Sequence, residues 1–228
     1  MLEPIKVDVW SDVVCPWCYI GKRKWEAGVA AFADGRGDAP PVEVEFHSSE
    51  LSPEMPLDFE GTSIDFLVRH KGISETKAHQ MQDHVSGIAA TVGLAYDLGA
   101  ARPTSTLRAH QVLHLAKTRG VQPEMKERLL SAHLVEGRHV GRIAELVELG
   151  AEIGLEREEV LRSLNEEEFL PAVRADQRVA AQLGIRGVPF FVIDGKYGIS
   201  GAQPPEVFTE ALTRVETDLE EGSVASAT

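Results

Sequence analysis

Strand patterns occur near both ends of this chain, and a long stretch of helical pattern separates them. Apolar and polar residues alternate at 5–9 and again at 42–46, which is typical of strands with one buried face. Residues 15–33 have the pattern of a helix, and Pro16 fits its first turn, where an amide proton is not needed. We therefore predict a parallel strand–helix–strand unit over residues 5–47.

Beyond Ser48 the chain is rich in Ala and Leu at helical spacing, and Gly or Pro stands near most of the breaks. No convincing strand pattern occurs there until about residue 183. The predicted helices cover residues 63–70, 75–92, 104–119, 123–136, 142–153, 156–164 and 166–183.

Strand pattern returns at 188–193 and 196–200, and the Asp194-Gly195 turn between them suits a tight hairpin. A last helix begins near the Pro204-Pro205 pair and carries apolar residues at helical spacing. The acidic, small-residue tail that starts at Glu216 is expected to fray.

This order predicts an α/β chain with a thioredoxin fold that a large helical insertion interrupts. Its first part is expected over residues 1–50, the inserted helical domain over 51–180, and its second part over 181–228. The two cysteines of the chain then fall where the active site of such a fold belongs.

Composition and charge exclude some classes of function. The chain has 23 Lys and Arg against 36 Asp and Glu, and a net charge of −13 would repel a phosphate backbone. We expect no nucleic-acid partner and no membrane association, because no stretch approaches the roughly 20 apolar residues that cross a bilayer. The amino terminus lacks a basic start followed by an apolar segment, so a cytoplasmic location is expected.

Cys15 and Cys18 form a Cys-x-x-Cys pair at the start of the first predicted helix. Unpaired amides and the helix dipole stabilise a negative sulfur at that place, which favours Cys15 as an attacking thiolate. Cys18 lies one turn later and can resolve a mixed disulfide. Since Pro16 and Trp17 between them supply no charge, we expect the pKa of Cys15 to be moderately lowered.

Other interpretations of the cysteine pair are weaker. A structural zinc site needs four ligands, and the chain has neither a second cysteine pair nor a His directly beside Cys18. Haem attachment needs His after the second cysteine, where Tyr19 stands. Two inert core cysteines stay open as an alternative, although Ser11 and Asp12 make this a poor place to bury them.

Pro189 stands at the start of a predicted central strand, where it removes a ladder hydrogen bond. A cis Val188–Pro189 bond would explain it and would leave the Val188 backbone free to pair with an extended substrate. A trans proline at an edge strand is the alternative. Asp12, three residues before Cys15, is a candidate proton relay to Cys18, although such an Asp more often caps a helix or faces water.

Two segments of the chain resemble the FrnE-like branch of the DsbA family: SDVVCPWCYIGK at 11–22 and GIRGVPFFVIDGKYGISGAQPPEVF at 184–208. The resemblance implies a thioredoxin fold with an inserted helical domain, dithiol–disulfide exchange, and a cis Pro189 beside the cysteine pair. It implies no bound metal and no prosthetic group. Because no further cysteine is present, an external thiol or disulfide must regenerate the pair.

One further sequence motif of the family is altered in this chain. Residues 105–110 resemble Asn-Thr-x-x-Ala-His, but Ser105 replaces the Asn, which leaves the role of the stretch open. His110 and His114 share a helix face and suggest a metal pair, although two hydrogen-bonded or exposed histidines are the more usual arrangement.

Three functions fit these features. The leading one is thiol–disulfide exchange with protein or small-molecule substrates, in which Pro16, Trp17, Val188 and Pro189 contact the substrate. The second is a glutathione-dependent transferase or isomerase of the kappa or hydroxychromene carboxylate isomerase type, which usually presents Ser at the position of Cys15. In either case glutathione is a candidate co-substrate. The third is a non-enzymatic chaperone or binding module with an apolar groove.

Overall fold

The computed structural model describes residues 3–37 and 39–226 and confirms the predicted α/β architecture. The elements, in chain order, are β1 (Ile5–Ser11), α1 (Pro16–Ala33), β2 (Val42–Ser48), α2 (Ser63–Lys71), α3 (Glu75–Ala90), α4 (Leu107–Thr118), α5 (Gln122–Leu134), α6 (Ile143–Glu152), α7 (Arg157–Asn165), α8 (Leu170–Gln182), β3 (Phe190–Ile193), β4 (Tyr197–Ser200) and α9 (Pro205–Ser226). All seven inserted helices lie where the sequence predicts them, within a few residues.

The four strands form one sheet in the order β2-β1-β3-β4. Strands β1 and β2 are parallel, and β3 runs antiparallel to both β1 and β4. Asp194 and Gly195 join β3 to β4 with positive φ values of 52° and 65°, the backbone that a tight hairpin turn requires. The sheet therefore joins the two ends of the chain, and the helices between β2 and β3 form an insertion.

Two large hydrophobic cores hold the chain together, and a smaller third cluster surrounds Cys15 and Cys18. One lies between the sheet and the packed pair α1 and α9. There the Phe208 ring makes edge-to-face contacts with both Trp25 and Phe191. Gly28 allows that packing, because a Cβ there would lie 2.8 Å from the Pro205 carbonyl oxygen. The other core lies among helices α4 to α7 and also takes in Val13, which precedes the first cysteine by two residues.

Polar contacts fix the insertion to strand β2. The Gln122 amide group spans the backbone of Phe46, accepting from its N–H and donating to its carbonyl, each at 2.9 Å. From α8, the Asp176 carboxylate accepts hydrogen bonds from the Ser48 amide at 2.7 Å and from His47 Nδ1 at 3.0 Å. The sheet and the insertion are thus joined by buried hydrogen bonds as well as by apolar contact.

The expectation of a frayed tail from Glu216 is wrong for the described residues. Helix α9 continues to Ser226, because Glu216 is buried and accepts a charged hydrogen bond from Arg36, and because Leu219 packs against the sheet core. Within the described ranges, no helix combines the length and the apolar character needed to cross a membrane. The proposed division at residues 50 and 180 stays a prediction.

Candidate active site

The two cysteines lie at the start of helix α1. Cys15 is the N-cap, with extended φ and ψ of −84° and 114°, and Pro16 is the first helical residue. The Cys18 amide donates to the Cys15 carbonyl at 3.0 Å, which closes the first turn. Both cysteines are free thiols and are only 4% and 2% exposed, so this segment is buried although Ser11 and Asp12 beside it are polar.

The segment before strand β3 lies against the first cysteine. The Val188–Pro189 peptide bond is cis, and the Val188 carbonyl lies 3.9 Å from Cys15 Sγ, as acceptor of a long thiol hydrogen bond. Gly21 of α1 permits the approach of the proline, because a Cβ at Gly21 would lie 2.7 Å from Pro189 Cγ. The geometry therefore brings together residues that are more than 170 positions apart in sequence.

Cys15 opens onto a cavity of about 560 Å³ between the start of α1 and the inserted helices. Its wall includes Asp12, Pro16 and the 40% exposed side chain of Trp17. The insertion supplies most of the remaining wall, including Met55, Phe66, Leu67, Met81, Val85, Leu98 and Leu134, together with the polar side chains of His70, Lys71, Gln82, His84 and His133. Although Cys15 is barely exposed, a ligand in this cavity can reach it.

A hydrogen bond between the two sulfurs links the pKa values of Cys15 and Cys18. The hydrogen bond to Cys18 and the burial of Cys15 raise the pKa of Cys15 in this arrangement. Burial alone would also raise the pKa of Cys18, but hydrogen bonds from Cys15, the Ser11 hydroxyl and the Asp12 amide, with the charge of Lys126, outweigh burial and lower it. The expected moderate lowering of the Cys15 pKa is therefore wrong for this resting arrangement, because Cys15 donates a hydrogen bond to Cys18 and is buried.

Asp12 is fully buried, and both of its carboxylate oxygens have partners. Oδ1 accepts from the Val13 amide at 2.7 Å and lies 3.3 Å from His110 Nε2, and Oδ2 accepts from the Leu51 amide at 2.7 Å. Burial alone would raise the pKa of Asp12, but His110 and the Leu51 amide outweigh it and lower the pKa. Asp12 thus stays ionised beside the cysteines, and its role as a proton relay stays a prediction.

The stretch at 105–110 places His110 in the first turn of α4, beside Asp12. One turn later, His114 Nε2 lies 3.1 Å from both Ser48 Oγ and an Asp176 carboxylate oxygen. Both histidines are buried and hydrogen-bonded, which favours the structural interpretation over a metal pair. Within the described residues, the group with suitable metal-ligand spacing is Asp8, Glu45 and His47 on strands β1 and β2, and the imidazole there already has Asp8 and Asp176 as partners.

Sequence reasoning missed three residues of the site. Tyr96, which precedes α4, donates to the Pro16 carbonyl at 2.7 Å. Gly21 is an isolated glycine inside a helix, and such a glycine can indicate that another segment of the chain packs closely against the helix. Lys126 of α5 is completely buried, and its one signal was its position four residues before Leu130 on the apolar face of its helix.

Comparisons with known proteins agree with this geometry. A family model described as a DSBA-like thioredoxin domain matches residues 6–213. The crystal structure of a probable DsbA oxidoreductase from Streptomyces coelicolor is 41% identical, covers 92% of this chain and 89% of its own, and superposes with a TM-score of 0.84. Cytosolic disulfide reductase DsbM from Pseudomonas aeruginosa is 22% identical over 94% of this chain and 98% of its own, with a TM-score of 0.61.

A curated relative shows the same extent of likeness along the chain. The uncharacterized protein YwbO from Bacillus subtilis is 25% identical over 211 residues, which are 92% of this chain and 96% of YwbO. The likeness to these proteins therefore extends through the inserted helices as well as the sheet.

Proposed function

The chain belongs to the DSBA-like thioredoxin domain family, and we propose from this that it is a thiol–disulfide oxidoreductase whose Cys15 attacks and whose Cys18 resolves. One observation carries the proposal. Of the hydrogen-bonded pair, Cys15 lines the 560 Å³ cavity and contacts the Val188 carbonyl, while Cys18 lies behind it at the base of the helix. Assignment to the FrnE-like branch stays a prediction.

The first step starts from the singly protonated pair, in which one proton lies in the hydrogen bond between the two sulfurs. Movement of that proton from Cys15 to Cys18 along their hydrogen bond places the negative charge on Cys15, which the Cys18 backbone amide also favours by its hydrogen bond to the Cys15 sulfur. The Cys15 thiolate attacks one sulfur of a substrate disulfide. A Cys15–substrate disulfide forms, the substrate disulfide breaks, and the leaving thiolate takes a proton from water.

The second step closes the internal disulfide. Cys18 loses its proton to solvent and attacks the Cys15 sulfur, the mixed disulfide breaks, and the second substrate thiolate leaves and takes a proton from water. The substrate has then gained two electrons and two protons, and the protein has gone from dithiol to disulfide. The same steps run backwards would oxidise a substrate dithiol.

The residues around Cys15 indicate which side chains and backbone groups would contact a substrate. Pro16 and Trp17 line the cavity, and the Val188 backbone at cis Pro189 offers polar groups to an extended chain. We propose these four residues as the substrate-binding set, for protein or small-molecule disulfides. The intact Cys15 favours exchange over the glutathione transferase or isomerase chemistry considered above.

An external thiol must return the oxidised pair to its dithiol form, because the chain has no other cysteine. Glutathione is the proposed small-molecule candidate, and the exchange needs no bound metal or prosthetic group. A cytoplasmic location stays a prediction, and in that compartment the dithiol would be the resting form.

Replacing Cys18 by alanine is expected to trap the substrate on Cys15. The first step remains possible in this variant, but no second thiol can release the mixed disulfide, so a covalent adduct should accumulate with insulin or oxidised glutathione. Mass spectrometry of peptides locates the adduct. An adduct on Cys15 supports the assigned roles, whereas a Cys18→Ala protein that stays unmodified under conditions where the wild type reacts would contradict them.

Replacing Gly21 by alanine is expected to lower the exchange rate about tenfold, because the added methyl displaces Pro189 from its place against α1 and so shifts Val188 relative to Cys15. The matched control is Gly87→Ala in α3, where a Cβ meets no atom within 4 Å among the described residues. Insulin turbidity assays measure the exchange rates of the Gly21→Ala and Gly87→Ala variants. Equal rates for both variants would show that the close approach of Pro189 has no role.

A further inference from the structure

Lys126 is a buried lysine without a hydrogen bond. It lies on α5, its side chain is completely buried, and its Nζ has no hydrogen-bond partner among the described residues. An ammonium group that is removed from water and left unpaired is costly, so a buried lysine is normally paired. The nearby Lys22 illustrates the usual arrangement, since its Nζ lies 2.7 Å from Glu127 and 2.5 Å from Glu26.

The position of α5 places Lys126 between strand β2 and the cysteine pair. One turn before it, Gln122 bonds the backbone of Phe46, and Lys126 Nζ itself lies 5.7 Å from the centre of the Phe46 ring. One turn after it, Leu130 belongs to the apolar cluster that contains both cysteines. The ion pair of Glu127 with Lys22 fixes α5 against α1.

The charges that act most strongly on Lys126 are those of Cys18 and Lys22 in α1, Cys15 at its N-cap, and Asp12 in the loop that precedes it. Burial lowers the pKa of Lys126 to about 8, although a negative charge on Cys18, and to a lesser degree on Asp12 and Cys15, acts in the opposite direction. At neutral pH Lys126 is therefore mostly charged, and the cysteine pair is its main source of negative charge.

Asp12 is the weaker partner for a geometric reason as well. Both of its oxygens already accept hydrogen bonds from backbone amides, and one also faces His110. On the Cys18 sulfur, by contrast, the charge of the Lys126 ammonium acts to lower the pKa. The unpaired ammonium and the buried sulfur thus compensate each other.

We propose that Lys126 is a positioning residue for the Cys18 sulfur, whose negative charge its buried ammonium stabilises during resolution. This inference rests on the proposed function. When protonated Cys18 releases its proton to solvent, the Lys126 ammonium stabilises the Cys18 thiolate that remains. The thiolate then attacks Cys15 in the mixed disulfide, the sulfur–sulfur bond to the substrate breaks, and the substrate thiolate leaves.

The charge of Lys126 has a second consequence, for the equilibrium between dithiol and disulfide. A nearby cation stabilises a thiolate but has nothing to stabilise in a disulfide, so Lys126 favours the reduced protein. Removing the charge should therefore make the pair a stronger reductant.

Lys126→Met tests this inference in the full-length protein, with Lys126→Gln as a second variant. The neutral side chains are close in length to lysine, and replacing a buried charge by an apolar group is often neutral or stabilising, so both variants should fold. In glutathione redox buffers, we expect the equilibrium constant to shift at least tenfold toward oxidised protein, which is about 30 mV. Lys117→Met, at an exposed site that pairs with Glu45, should leave it unchanged.

A thiolate absorbance titration gives an independent readout. In a Cys15→Ser background the titration reports Cys18 alone, and adding Lys126→Met should decrease the acid dissociation constant of that thiol at least tenfold. An unchanged Cys18 titration together with an unchanged redox equilibrium would overturn the role of Lys126. If the wild type fails to exchange disulfides at all, the proposed function fails, and the Cys18 titration still decides whether Lys126 acts on this sulfur.

Discussion

Replacing Cys15 by serine is expected to abolish disulfide exchange, leaving insulin reduction at the rate of the buffer alone. The serine hydroxyl is not ionised at neutral pH and cannot form a disulfide, so the first step has no substitute in this chain. The effect should be the largest of any single substitution in the site. Steady-state insulin reduction, with dithiothreitol as the recycling reductant, measures it.

The control for this experiment is Cys18→Ser, which retains the attacking sulfur. That variant should still form a mixed disulfide in a single turnover, and both variants should keep the melting temperature of the dithiol wild type within a few degrees. Substantial turnover by Cys15→Ser would show that the chemistry does not depend on this sulfur.

Replacing Asp176 by asparagine is expected to destabilise the protein by about 3 kcal/mol, because one partner of a mostly buried charged cluster is removed. The carboxylate joins α8 to Ser48, His47 and His114, and the Asp176 backbone carbonyl also accepts from Trp10 Nε1 at 3.2 Å. An amide can accept fewer hydrogen bonds and carries no charge. Urea unfolding at constant protein concentration gives the free energy of unfolding.

The Asp176→Asn effect should depend on pH. Burial alone would lower the pKa of His47, but Asp176 and Asp8 raise it to about 9, so its contribution is full below pH 6.5 and is lost as the pH rises through 9. Burial would raise the pKa of Asp176, but hydrogen bonds from His114 and His47 lower it, so that contribution is present above about pH 4 and is lost in acid.

The stability difference between wild type and Asp176→Asn should therefore be largest between about pH 4 and 6.5. Glu148→Gln is the matched control, since it breaks an exposed ion pair with Arg157 that is expected to contribute less than about 1 kcal/mol. A difference that is the same at pH 5 and pH 10 would contradict the role assigned to the charged cluster.

The architecture could be predicted from sequence because it depends on local patterns. Alternation at β1 and β2, helical spacing in the insertion, and the Asp194-Gly195 turn each fix a backbone conformation without reference to distant residues. The same holds for the Cys-x-x-Cys pair, whose place at the start of α1 follows from the strand before it and the proline within it.

The environment of the pair could not be predicted, because distant segments create it. Val85 of α3 and Leu130 of α5 pack into the cluster around the cysteines, and the hydrogen bond to Cys18 together with this burial reverses the expected pKa shift of Cys15. Lys126 reads in the sequence as an ordinary helical lysine. Its burial follows from the way α5 docks on α1 and β2, and its spacing from Leu130 is the one sequence feature that indicates it.

The electron balance of a single turnover tests the chemistry of the Cys15–Cys18 pair most directly. Reduced wild-type protein is mixed with insulin in the absence of any other reductant, quenched with an alkylating reagent, and mapped by mass spectrometry. We expect one Cys15–Cys18 disulfide for each insulin disulfide that opens. Insulin that stays intact, with both cysteines recovered as alkylated thiols, would contradict an oxidoreductase function for this pair.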